Sequence, residues 1–138
     1  MSLNGHSFSM ILHAAAPYWD VFDDDRSPNV ALGLLRCEQK AIRAMLSFEE
    51  ASHLLRLEVQ VRGTLEPDAS RLARLLERQG SAALTKLVYD REDRTLSVRS
   101  AAIWIAVPGS DGIVHALFED MIGFLDDDEI SALSRQAA

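Results

Sequence analysis

The stretch LLRLEVQVRGTLEPDASRLARLLERQ, residues Leu54 to Gln79, carries both periodicities on which the fold reading rests. Leu55, Leu57, Val59 and Val61 alternate with Arg56, Glu58, Gln60 and Arg62, the period of two expected of a strand buried on one face. Gly63 to Glu66 turns the chain, and Pro67 falls in the first turn of a helix, where an amide N–H is not needed. Ala69, Leu72, Ala73, Leu75 and Leu76 then recur at helical spacing, and Gly80 stands where helices commonly end. The apolar face of this helix is expected to pack on the apolar face of the strand. A strand and a helix joined in this way point to an α+β domain.

Upstream, Phe8, Ile11, Leu12, Ala15 and Tyr18 or Trp19 are spaced for one face of a short helix, and Pro17 limits its length. Asp20 to Asn29 is rich in aspartate and reads as a polar loop. Its three adjacent aspartates do not fit a calcium-binding loop, which needs ligands at alternate positions, a glycine sixth and a glutamate twelfth. Val30 to Cys37 reads as a strand with Val30, Leu32 and Leu34 on the core side. Ala41 to Phe48 reads as another, with Ile42, Ala44, Leu46 and Phe48 together and Arg43, Ser47 and Glu49 opposed. With the strand from Leu54 these form a three-stranded antiparallel meander. Leu35, Cys37 and Met45 are left on the nominally outer face, an apolar patch that a partner surface, a subunit interface or an overlying helix would explain equally well.

Downstream, Leu84 to Tyr89 and Thr95 to Val98 read as a hairpin turned by Asp90 to Arg94. Ala101 to Val107 is a further apolar run that extends the strand or covers the edge of the core. Pro108-Gly109 breaks the chain, and Ser110 or Asp111 is placed to cap a last helix. Ile113, Val114, Leu117, Phe118, Met121, Phe124 and Leu125 form its apolar stripe. Asp126 to Glu129 ends it before a short turn through Ile130 and Leu133.

The 138 residues suit one domain, spanning 1–138 with the polar loop 20–29 inside it. A charged fraction of 25% beside 48% apolar residues is that of a globular chain, and the net charge of −7 argues against nucleic acid or an anionic membrane. The acidity is uneven: residues 1–53 carry net −3, residues 54–107 net +2 and residues 108–138 net −6. No apolar run approaches the roughly 20 residues of a membrane span, and no secretory signal is visible. A single cysteine, Cys37, allows no internal disulfide and points to a reducing, cytoplasmic setting.

No catalytic or metal-binding motif emerges, and no cofactor is expected. His6, His13, His53 and His115 lack metal-ligand spacing. Asp111, His115 and Glu119 follow at i, i+4 and i+8 of the last helix, where both carboxylates could flank the imidazole, but no nucleophile accompanies them. Cys37, in an apolar strand, reads as a buried side chain rather than a nucleophile. Arg71, Arg74 and Arg78 line the central helix, where Glu77 and the overall charge oppose a nucleic-acid role.

The resulting order is helix, three strands, helix, two strands, helix, with the helices packed on the sheet. It resembles the type III secretion chaperone-like fold and, within it, the YbjN family of bacterial proteins. The similarity runs from Phe8 to Leu133. It is best over LRLEVQVRGTLEPDASRLARLLERQGSAALTKLVYDREDRTLSVRS and again over LFEDMIGFLDDDEISAL. Pro17 and the Asp-rich stretch depart from the opening helix of a secretion chaperone. The resemblance implies a non-enzymatic homodimer that holds another polypeptide. A partner segment would then lie on the outer sheet face near Leu35 and Met45, with Trp104 as an aromatic anchor. The acidic C-terminal region would bias against acidic partners. A structural subunit of a larger assembly, or a small-ligand protein or enzyme built around His115, are the alternatives.

Overall fold

The computed structural model describes residues 3–38, 40–61, 84–90, 92 and 95–126. The element order is α1 (Leu3–Ala15), β1 (Trp19–Ser27), β2 (Val30–Arg36), β3 (Ala41–Glu49), β4 (Leu54–Val61), β5 (Thr85–Asp90), β6 (Thr95–Ile103) and α2 (Asp111–Leu125). The strands form one antiparallel sheet in the order β1-β2-β3-β4-β6-β5. The helix expected over Pro67–Gln79 lies outside the described residues, as does the last turn through Ile130 and Leu133.

Helix α1 buries Phe8, Ile11, Ala14 and Ala15 and stops where Pro17 obstructs the next turn. Helix α2 buries Val114, Leu117, Phe118, Met121, Phe124 and Leu125, the stripe its spacing predicts. Its start differs from the expected side-chain cap. Ser110 is buried in helical geometry and makes no side-chain capping bond, and the helix begins through tight turns from Gly109 and Ser110. The core lies between these helices and the inner sheet face, which supplies Leu46, Phe48, Leu55, Leu57, Val59, Leu96 and Val98.

Residues 20–29 are not a polar loop: Trp19–Ser27 is the edge strand β1, so the meander has four strands rather than three. Composition is misleading here because an edge strand needs only one row of partners and tolerates charge, which blocks pairing with other chains. Asp20 is held by the guanidinium of Arg36 on β2. Pro28 and Asn29 close the β1–β2 hairpin, with Asn29 in the left-handed region at φ 61°.

The face assignment of β2 is also the reverse of the expected one. Ala31, Gly33 and Leu35 point inward, whereas Val30, Leu32 and Leu34 point outward. In VALGLLR nearly every position is apolar, so alternation sets no phase. Pairing sets it, with Leu35 opposite both Trp19 and Ile42.

Buried polar groups tie the far edge of the sheet to α2. The Thr85 hydroxyl donates to Asp120 Oδ2 at 2.6 Å, and the Leu84 N–H donates to the same oxygen at 3.0 Å. With the Thr85 proton so used, the buried Ser100 hydroxyl donates to Thr85 Oγ1 at 2.5 Å.

Candidate functional site

The outer face of the sheet carries several exposed apolar side chains, Phe22, Leu34, Met45 and Ile103 among them. On β1, two residues oppose one of β2 between Val21 and Asp23, a bulge that turns Phe22 outward. Phe22 is 52% exposed, with the Arg43 guanidinium 5.3 Å from its ring centre. Leu34 pairs with Arg43, and Leu32 with Met45. Leu34 is 39% and Met45 37% exposed, so Phe22, Leu32, Leu34 and Met45 make one patch across β1, β2 and β3. Among the described residues, both helices pack on the opposite face.

Of the three partner-binding residues expected from the sequence, only Met45 is on this surface. Leu35 is 0% exposed and packs in the core. Trp104 is 1% exposed, its ring set edge-on to Phe48 with centres 5.6 Å apart, and its backbone N–H donates to the His53 carbonyl at 2.9 Å. It is a core residue rather than an anchor for a partner. Phe22 and Leu34 were the residues that sequence reasoning missed. The one signal for Phe22 is a large aromatic among aspartates, and Leu34 became legible only once β2 had its phase.

The remaining polar half of the outer face is set by register. Met45 pairs with Glu58, Glu58 with Arg99, and Arg99 with Lys86, a single row across β3, β4, β6 and β5. Arg99 Nε donates to Glu58 Oε2 at 2.7 Å. Arg56 lies in the next row, between Ser47 and Ala101.

The groups weighed for chemistry are otherwise engaged. Glu119 accepts the Tyr18 hydroxyl at 2.7 Å, which raises the Tyr18 pKa, and His115 lies against the Tyr18 ring at 5.5 Å. This links β1's approach to α2 and supplies no nucleophile. Cys37 is half-buried, and its thiol is pushed up to about 11, first by burial and then by the charge of Asp126. Among the described residues no group of three or more His, Cys, Asp or Glu is placed to hold a metal ion. None of the described helices is long and apolar enough to cross a membrane.

The arrangement is similar to a chain in the solved structure of the HopA1-SchA chaperone–effector complex. The TM-score is 0.53 at 16% identity, over 90% of this chain and 97% of that one. At that identity the likeness is one of fold alone, an α+β architecture with helices packed on one face of an antiparallel sheet. No protein-family model matches this sequence, and no curated protein matches it.

Proposed function

We propose that this chain is a non-enzymatic, chaperone-like binding protein that holds an extended segment of another polypeptide on the outer face of its sheet. The observation that carries this reading is the patch of Phe22, Leu32, Leu34 and Met45 beside β1, the edge strand of the sheet among the described residues. An edge strand offers unpaired backbone groups to an incoming strand, and the adjacent apolar patch receives its alternate side chains. The similarity to a chain of a chaperone–effector complex supports the same reading. The YbjN resemblance, a homodimeric state and a cytoplasmic setting belong to this proposal.

The test is capture of a client by the full chain from lysate of its native host, beside a variant with Phe22→Ser, Leu34→Ser and Met45→Ser. Light scattering on the eluted material reads stoichiometry. The proposal expects one dominant polypeptide on a dimer, released by the triple variant with circular dichroism unchanged. Equal capture by the folded triple variant would remove the outer face from the mechanism.

A further inference from the structure

We infer that the cleft at the end of the sheet where β3 turns into β4 binds a small uncharged molecule. Its ligand has an apolar body and one head group that both donates and accepts a hydrogen bond, as a carboxamide or an alcohol does. Ser7 of α1, Phe48, Glu50, His53, Trp104 and Ile105 line this cleft. None of them belongs to the patch of Phe22, Leu32, Leu34 and Met45, so the inference does not rest on polypeptide binding. The cleft measures 320 Å³, within the range of about 300–1,000 Å³ usual for small-molecule sites. Two backbone bonds hold its polar residues together. The His53 N–H donates to the Glu50 carbonyl at 3.2 Å, and the Trp104 backbone N–H donates to the His53 carbonyl at 2.9 Å.

Trp104 and Glu50 each carry a buried polar atom with no hydrogen-bond partner among the described residues, the indole Nε1 and the carboxylate Oε1. A buried indole N–H ordinarily finds an acceptor, and an unpaired buried group keeps the full cost of leaving water. The two atoms have opposite needs, a donor wanting an acceptor and an acceptor wanting a donor. One carboxamide or hydroxyl head group meets both, while Phe48 and Ile105 take the apolar body. Glu50 is only half-buried and the neighbouring Ala51, Ser52 and His53 are exposed, so a rotamer change of its side chain admits the head group. Charged heads fit less well. Among the described residues no lysine or arginine lines the cleft to offset the repulsion of an anion by Glu50. An ammonium group would satisfy Glu50 but would offer the Trp104 N–H no acceptor.

Nuclear magnetic resonance of the isotope-labelled full chain tests this, with phenylacetamide and benzyl alcohol as probes. Phenylacetate and protonated phenethylamine serve as charged counterparts of similar shape. The chain holds two indoles, Trp19 and Trp104, and sequential assignment identifies the Nε1–H signal of each without a variant. At least one uncharged probe is expected to move the Trp104 signal, while that of Trp19, packed against Gly33 and Phe118, stays in place. Glu50→Ala, on an exposed turn, should weaken binding about tenfold with Tm unchanged, and Trp104→Phe, which keeps a ring but no N–H, should do the same. A Trp104 signal that neither uncharged probe moves at up to about 10 mM overturns the inference. So does a charged probe that binds as tightly, a Trp19 signal that moves equally, or affinity that survives Glu50→Ala.

Discussion

The indole of Trp19 on β1 lies directly over Gly33 on β2: a β-carbon built on Gly33 would stand 2.5 Å from Trp19 Cε3 and 2.8 Å from the Asp20 carbonyl oxygen. Trp19 also packs on Phe118 of α2, with ring centres 5.4 Å apart. The bare backbone at Gly33 thus lets the edge strand deliver an aromatic ring to the helix layer. Gly33→Ala should destabilise the domain by about 1–3 kcal/mol, because backbone and a buried ring must both move. Urea unfolding measures it, and an unchanged midpoint would place the indole elsewhere.

Leu35 and Met45 were grouped by the sequence but stand on opposite faces. Leu35→Ala should cost about 3 kcal/mol, within the range for a buried leucine, whereas Met45→Ala should stay within about 1 kcal/mol. Comparable losses in paired denaturation curves would contradict the face assignment of β2.

Thr85→Val keeps the shape of the side chain but removes the hydroxyl shared by Asp120 and Ser100. Leaving these groups short of a partner should cost about 1–3 kcal/mol. Amide hydrogen exchange should quicken first at β5, whose edge this network fastens to α2. A uniform change across the sheet would argue against that local role.

Cys37 should resist alkylation. With its pKa moved from 9.0 to about 11, the thiolate fraction at pH 8 is about a hundredfold below that of the unfolded chain. Iodoacetamide kinetics with and without urea read the ratio directly. The folded pKa is the higher one, so the neutral thiol is the form that the fold favours. Its contribution to stability is full below pH 9 and lost as pH rises through 11. Asp126→Asn should speed the native reaction, and equal rates in folded and unfolded chains would show an exposed thiol.

The sequence by itself determined the α+β class and the elements whose two sides differ in chemistry. In β3 and β4 apolar and polar residues alternate cleanly, and the stripe of α2 repeats at helical spacing, so each had one way to face a core. Tertiary pairing decided the rest. VALGLLR is apolar on both sides, and only its register against Trp19 and Ile42 turns Leu35 inward and Leu34 outward. WDVFDDDRS has the composition of a loop and becomes a strand because β2 offers it an edge. The charged residues of the outer face, from Arg43 and Glu49 to Glu58 and Arg99, are dispersed in the chain, and three strand pairings bring them together. Periodicity is local, whereas the face that a strand presents and the charges beside it depend on neighbours distant in the chain.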